Sequence, residues 1–126
     1  MAYQPMTLTD LALHLAREAD TKTRWKFVWE FTEEYSWEPP GACWALLADE
    51  PAATGDERWD ALLGALAEHL AEADGQLPPS WAATRILTDP WYPAELQAQR
   101  DDARATAPPT FRRHGVYLSA ADLDSA

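Results

Sequence analysis

The chain has 126 residues, 47% of them hydrophobic, which is enough for one domain with its own core. Its 21 acidic and 10 basic residues give a formal net charge of −11. Because the acidic residues are spread along the whole chain, the field disfavours nucleic acid and anionic membranes and favours basic protein surfaces.

Cysteine content and hydropathy indicate the compartment. Cys43 is the only cysteine, so no disulfide can form within the chain. No N-terminal stretch has the basic and apolar regions of a signal peptide, and no run reaches the roughly 18 apolar residues of a membrane span. We therefore expect a cytoplasmic protein without a membrane segment, built as a single acidic helical domain over residues 1–126.

Two helices are predicted in the first third of the chain. The first begins after a capping threonine, Thr7 or Thr9, and continues to about Ala19. The second begins at Asp20 or Thr21 and is apolar around much of its girth, as in a helix that is central or contacts a partner. The apolar residues at helical spacing are Leu8, Leu11 and Leu15 in the first helix and Trp25, Phe27, Val28, Trp29, Phe31 and Tyr35 in the second.

The central helix of the fold is predicted over residues 54–75. Thr54 is the expected N-cap, with Glu57 three residues later as in a capping box, and Gly75 is a natural stop. Apolar residues between them repeat at the spacing of one buried stripe. The predicted core consists of this stripe, Trp59, Leu62, Leu63, Leu66 and Leu70, together with Trp25, Val28 and Trp29.

Prolines separate the remaining elements. In chain order these are a short apolar helix over residues 42–48, a helical turn over 81–87, an aromatic loop over 88–93, an exposed helix over 94–106, a last turn over 111–114 and a short extended segment over 116–118. The predicted fold is mainly α, a compact irregular bundle of about five or six helices with this extended segment near the C-terminus.

Histidines offer no metal-binding pattern. His14, His69 and His114 are far apart in the sequence. Neither His69 with Glu72 nor His14 with Glu18 has the Glu-x-x-His order of a di-metal bundle site. We interpret all three histidines as ordinary surface polar residues and predict that the chain binds no metal or cofactor.

Other catalytic patterns are equally weak. Cys43 lies in an apolar run, whereas a reactive thiolate needs a cationic, partly exposed setting, so we expect a small buried hydrophobe. Adjacent acids such as Glu33 and Glu34 point apart on a helix, and the five glycines form no phosphate-binding pattern. We predict that the protein is not an enzyme. The alternative is a catalytic site assembled from distant acids and histidines.

Basic residues at the start of the second helix raise a second alternative. Lys22, Arg24 and Lys26 cluster there, and the first two helices are short and closely linked, as in a helix-turn-helix. The same helix also carries Glu30 and Glu33, which would face phosphates. A transcription-regulation-associated module, acting with or as a helix-turn-helix DNA binder, is therefore the alternative function.

Tryptophans divide into two groups. Trp25, Trp29, Trp44 and Trp59 lie in helical stripes, and we expect them in the core. Others lie beside prolines or in loops, where a lid over the core is the favoured interpretation and a protein interface the main competitor. The second group consists of Trp37, Trp81 and Trp91, with the neighbouring Tyr92.

Several sequence strings resemble those of small actinobacterial proteins of antitoxin type. The two strongest are DEPAATGDERWDALLGALAEHLA at residues 49–71 and FRRHGVYL at residues 111–118. The strings FVWEFTEEY, WEPPG, PSWA and DPWYP extend the similarity over most of residues 24–124. Some such proteins form the region after a helix-turn-helix in longer regulators, and they are associated with toxins, including nucleotidyltransferase-like ones. The resemblance implies an inhibitor of a partner toxin and supplies no catalytic residues.

Composition and resemblance together predict a non-enzymatic antitoxin-like protein that binds and neutralises a basic partner toxin. Toxins that process nucleic acids hold phosphates in basic clefts, and an acidic protein with aromatic anchors can occupy such a cleft. The predicted contact residues are Glu33, Glu34, Trp37, Glu38, Trp91, Tyr92, Asp101 and Asp102.

Overall fold

The computed structural model describes residues 5–119, most of which are helical. In chain order the helices are α1 (Leu8–Arg17), α2 (Thr21–Ser36), α3 (Pro40–Cys43), α4 (Ala45–Ala48), α5 (Glu57–Ala73), a 3₁₀ turn (Ala82–Thr84), α6 (Gln97–Thr106) and α7 (Pro109–Arg113). Only Trp44, itself in helical conformation, separates α3 from α4, so the pair forms the short helix predicted over residues 42–48. The predicted mainly α bundle is confirmed.

Within residues 5–119, no helix combines the length and the apolar character that crossing a lipid bilayer requires. The ends of the predicted domain, residues 1 and 126, lie outside the described part of the chain. Its extent therefore stays a prediction.

Side-chain caps fix the starts of the first two helices where the sequence predicts them. The Thr7 hydroxyl accepts a bond from the Asp10 backbone N–H, and the Asp10 carboxylate accepts one from the Thr7 N–H, which forms a capping box. Asp20 caps α2 by accepting bonds from the Thr23 hydroxyl and N–H, and these bonds lower the pKa of Asp20. Helix α1 ends at Arg17, before the predicted Ala19.

The start of α5 differs from the prediction. Asp56, not Thr54, is the N-cap, and its carboxylate accepts a bond from the Arg58 N–H at 2.9 Å. Thr54 instead donates its N–H and its hydroxyl to Asp60 Oδ1, at 2.8 and 2.9 Å. Gly55, with a φ of 94°, turns the chain between them. The first-turn carboxylate of Asp60 thus binds the threonine that the sequence pattern assigned to the cap.

Helix α5 lies at the centre of the core, as predicted. Trp59, Leu62, Leu63 and Leu66 are almost fully buried, and Leu70 is partly buried against them. The other buried side chains come chiefly from α1, α2, α4 and α7, and the partly buried Trp25 and Trp29 pack on this cluster. The buried residues of the flanking helices include Leu8, Leu11, Leu15, Val28, Phe31, Leu47 and Phe111.

Gly64 allows α5 to lie unusually close to the 3₁₀ turn. A Cβ atom at this position would lie 2.9 Å from both the Ala82 carbonyl oxygen and Arg85 Cβ, and 3.2 Å from His114 Cε1. These separations are below van der Waals contact for real Cβ atoms. The absence of a side chain at Gly64 therefore creates the space that the His114 ring occupies.

His114 is buried, which corrects its prediction as a surface residue. The side chain is 1% exposed, and its Nδ1 lies 2.5 Å from the Arg85 carbonyl oxygen. Because a carbonyl can only accept, Nδ1 must carry the proton of this bond. Nε2 contacts the Glu68 carboxylate of α5. The imidazole thus joins the C-terminal segment to the central helix and to the chain after the 3₁₀ turn.

The extended segment predicted over residues 116–118 is a single pair of bridged residues. Trp91 and Val116 form a parallel bridge, in which the Trp91 N–H donates to the Gly115 carbonyl and the Tyr117 N–H donates to the Trp91 carbonyl. A third bond runs from the Leu87 N–H to the His114 carbonyl. The loop over residues 88–93 is thereby tied to the C-terminal segment.

Replacing His114 with alanine should lower the free energy of unfolding by about 3 kcal/mol, because it leaves the buried Glu68 carboxylate without its closest partner. Urea denaturation monitored by circular dichroism measures this loss. Asp102→Asn, on the exposed face of α6, is the control and should change stability by less than about 0.5 kcal/mol. Equal stability of His114→Ala and wild type would contradict a structural role for the pair.

Candidate functional site

The C-terminal ends of α2 and α5 lie side by side at one end of the bundle. Near the end of α2, the Tyr35 hydroxyl donates to Asp74 Oδ2, at the cap of α5, over 2.5 Å. Trp44 Nε1 donates to the Leu77 carbonyl oxygen over 2.8 Å. A cleft of about 480 Å³ opens between the two helix ends, with Leu70 and Cys43 among its lining residues. These contacts bring together residues more than 30 positions apart in sequence.

Large apolar side chains are exposed at this end of the bundle. Trp37 is 79% exposed, Leu77 86% and Trp44 39%. The carboxylates of Glu38 and Asp74 belong to the same end, and both line the cleft. Exposed apolar patches with a polar rim, and tryptophan anchors, are typical of protein-binding surfaces. We call the five residues Trp37, Trp44, Leu77, Glu38 and Asp74 the Trp37 surface.

Acidic residues dominate the part of the chain that builds the Trp37 surface. Between residues 27 and 84 the sequence has twelve acidic residues and one basic residue, Arg58. Arg58 lies at the opposite end of α5, in its first turn. Of these twelve, Glu33, Glu34, Glu38 and Asp74 lie near the C-terminal ends of α2 and α5, whereas Asp56, Glu57 and Asp60 lie at the start of α5.

The Trp37 surface does not contain a reactive thiol. Cys43 is buried, as predicted, with its Sγ 3.4 Å from the carbonyl oxygens of Glu38 and Pro39. Burial, reinforced by the charges of Asp74 and Glu38, raises the pKa of this thiol. A protonated, buried thiol is a poor nucleophile, so Cys43 is not suited to covalent chemistry.

Four of the eight predicted contact residues lie at or beside the Trp37 surface. Trp37 and Glu38 are part of it, and Glu33 is exposed one helical turn earlier on α2. Glu34 is half-buried, and its carboxylate accepts a bond from the Met6 N–H at 3.1 Å. The structure thus brings Glu33, Trp37 and Glu38 to one helix end, and their role as contacts stays a prediction. Trp44, Leu77 and Asp74 are not among the predicted contacts. The sequence pattern predicts Trp44 in the core.

The other four predicted residues lie elsewhere. The Trp91 ring stacks on Trp25 of α2 at 6.0 Å between centroids. Trp25 and Trp37 are twelve residues apart, which corresponds to about 18 Å along a helix. Tyr92 lies beside α6, because the Arg104 guanidinium carbon is 5.7 Å from its ring centroid. Asp101 and Asp102 are exposed on that same helix, so the eight residues form two separate groups.

Trp91 is part of an aromatic lid. Its ring also contacts Trp59 edge-on at 5.4 Å, and the Arg58 guanidinium lies over it at 5.4 Å. Beside it, Tyr92 and Arg100 help to line a cleft of about 690 Å³, the Trp91 cleft. Both charge signs line this cleft, including Asp56 in its ion pair with Arg58. Much of the Trp91 ring is therefore covered by its contacts with Trp25 and Trp59.

The basic cluster at the start of α2 is partly occupied by internal contacts. Arg24 Nε donates to the Glu18 carbonyl oxygen over 2.6 Å, and its guanidinium lies 5.5 Å from the Trp59 ring centroid. Lys22 and Lys26 are exposed. The alternative of a DNA-binding module stays a prediction.

Two of the three histidines have aromatic neighbours. His14 stacks on Phe27 at 4.8 Å, and His69 meets Phe111 edge-on at 5.3 Å. In the part of the chain that the structure describes, no three histidine, cysteine or acidic side chains lie close enough together to hold a metal ion.

Comparisons with family models, with curated proteins and with solved structures found no match for this chain. The antitoxin resemblance of its sequence strings therefore stays a prediction.

The Tyr35–Asp74 hydrogen bond should make stability depend on alkaline pH. Burial, and then the bond to Asp74, raises the pKa of Tyr35 above its ordinary value of 10.0. A raised pKa means that the folded state holds the proton more tightly, so this stabilisation is complete below about pH 10 and declines as the pH rises further. Urea denaturation at pH 8 and about pH 11 should therefore show a loss of stability with pH that is smaller in Tyr35→Phe.

Tyr117→Phe is the matched control, because it leaves the Tyr35–Asp74 bond in place and should retain the wild-type dependence. At pH 8, Tyr35→Phe should itself cost about 1 kcal/mol through loss of the hydrogen bond. Identical pH dependence in wild type and Tyr35→Phe would contradict the assignment.

Proposed function

We propose that this chain is a non-enzymatic antitoxin-like protein that binds and neutralises a basic partner toxin through the Trp37 surface. The observation that carries the proposal is the exposure of Trp37 and Leu77 at the acidic end of the bundle. Trp37 is 79% exposed, and protein interfaces are enriched in tryptophan anchors.

The partner that best fits this surface carries a basic cleft. Glu33, Glu38 and Asp74 supply negative charge around the tryptophans, and opposite charges steer two proteins together before close contact forms. Nucleic-acid-processing toxins, including nucleotidyltransferase-like enzymes, need positive clefts for phosphate groups. Occupation of such a cleft by an acidic protein would block access of the nucleic acid.

The second group of predicted residues has a smaller part in this proposal. Trp91 and Tyr92 contact other side chains of the same chain, so removing either ring would disturb the fold as well as any interface. Trp37 and Leu77 are the residues whose removal tests binding separately from folding.

Trp37→Ala should weaken partner binding by about 30-fold, equivalent to about 2 kcal/mol, with no significant loss of thermal stability. The experiment is capture of partners from native lysate by tagged protein, followed by co-expression of the captured protein, or of the product of the neighbouring gene, in growth assays. Leu96→Ala is the matched control, because Leu96 is 64% exposed but lies at the start of α6.

The proposal would be supported by a stoichiometric basic partner that stops growth when expressed alone. Co-expression of this partner with the wild-type protein should restore growth. If Trp37→Ala fails to restore growth and Leu96→Ala restores it, neutralisation of the toxin would be assigned to the Trp37 surface. A bait that captures no basic protein, with a neighbouring gene product that does not affect growth, would overturn the antitoxin proposal.

A further inference from the structure

The two longest helices both end at the Trp37 surface without a basic residue of their own in the last turn. Helix C-termini carry a partial negative charge, which basic side chains in the last turn usually balance. Helices α1, α6 and α7 have such residues, for example Arg17 and Arg104. Helices α2 and α5, of 16 and 17 residues, have no basic residue in the last turn. Arg113 of α7, however, pairs with Glu72 in the last turn of α5 over 3.0 Å.

Carboxylates at the same end add to this charge. Within residues 5–119, the side chains of Glu33 and Glu38 form no ion pair or hydrogen bond with another side chain. Asp74 is exposed and receives a bond from the neutral Tyr35 hydroxyl. The arginines that form ion pairs in the described chain are Arg58, Arg85 and Arg113. Arg113 binds Glu72 in the last turn of α5, and none of the three pairs with Glu33, Glu38 or Asp74.

Arginine side chains elsewhere in this protein lie on aromatic rings. Four guanidinium groups lie 4.9 to 5.7 Å from the ring centroids of aromatic residues, and these residues are Trp59, Trp91, Trp81 and Tyr92. In the described residues, no arginine lies over Trp37 or Trp44 in this way. Trp37 directly precedes Glu38 in the chain, and Trp44 binds the Leu77 carbonyl three residues after Asp74. A guanidinium group can stack on an indole and bind a carboxylate.

We propose that the Trp37 surface binds an arginine-bearing segment of a protein partner, with guanidinium groups between the tryptophan faces and the carboxylates of Glu38 and Asp74. An apolar side chain of the same segment would contact Leu77, which is 86% exposed. This inference rests on the proposed partner-binding function and names the chemistry that the partner must present.

Arginine fits this site better than lysine for a geometric reason. The guanidinium group is planar, stacks on an indole and donates two parallel bonds to one carboxylate. A lysine ammonium is a strongly hydrated point charge and cannot form both contacts at once. The indole of Trp44 is already held by its bond to the Leu77 carbonyl, so less side-chain entropy is lost on binding.

The test uses three matched peptides, each 12 residues long and labelled with a fluorophore. They form the same amphipathic helix with leucines on one face and carry four arginines, four lysines or four citrullines on the other. Fluorescence anisotropy should show the arginine peptide binding the full-length protein at least about tenfold more tightly than the lysine peptide. The citrulline peptide, which keeps the shape without the charge, should bind most weakly.

Variants of the protein locate the binding. Trp37→Ala and the double variant Glu38→Gln/Asp74→Asn should each weaken the arginine peptide by at least about tenfold. Asp89→Asn/Glu95→Gln removes the same charge from exposed residues away from this surface and should leave affinity within about twofold. Equal affinity for arginine and lysine peptides, or equal losses in both double variants, would overturn the inference by reducing the effect to general charge attraction.

The outcomes separate this inference from the proposed function. Capture of a toxic partner that depends on Trp37, together with no preference for the arginine peptide, would retain the function and reject the arginine chemistry. Selective binding of the arginine peptide without a toxic partner would retain the arginine chemistry and reject the antitoxin function. Concentration-dependent dimerisation that Trp37→Ala abolishes would reject both, because a second copy of the chain would then cover the surface.

Discussion

The buried contact between His114 and Glu68 holds the C-terminal part of the described chain on the rest of the molecule. Helix α6 buries only Ala103 and α7 is one short turn, so neither has a core of its own. Phe111 and His114 attach this segment to α5, and both imidazole nitrogens are used for it. In a low-dielectric interior an unpaired polar group is costly, so the position of the segment is sharply defined.

That attachment also decides how the two ends of the bundle differ. The bridge between Trp91 and Val116 holds Trp91 over Trp25 and Trp59, so arginines and tryptophans cover the start of α5. At the other end, within the described residues, the tryptophans have no arginine over them and the carboxylates of the Trp37 surface have no cationic partner. One end of the core is therefore covered by cation–aromatic contacts within the chain, whereas the tryptophans at the other end are exposed without such contacts.

The candidate site was half predictable from the sequence. Glu33, Glu34, Trp37 and Glu38 stand together because they are adjacent at the end of one helix before a proline pair. Trp44 was assigned to the core, since its apolar neighbours gave no sign of its 39% exposure. Leu77 and Asp74 follow another helix and join the site only because α5 ends beside α2. Trp91 was grouped with Trp37 by its proline-rich surroundings, although the fold separates the two.

Local sequence patterns predict the helices, a first cap at Thr7 or Thr9, a second helix beginning at Asp20 or Thr21, and the buried stripe of α5. These features depend on residues three or four positions apart, and local hydrogen bonds and periodicity decide them. Neither the burial of His114 nor the Trp37 surface could be predicted from such local patterns. Both depend on contacts between distant residues, 46 positions apart for His114 and Glu68 and 33 for Trp44 and Leu77. Such contacts follow from how close Gly64 lets α5 approach its neighbours and from where the long helices end.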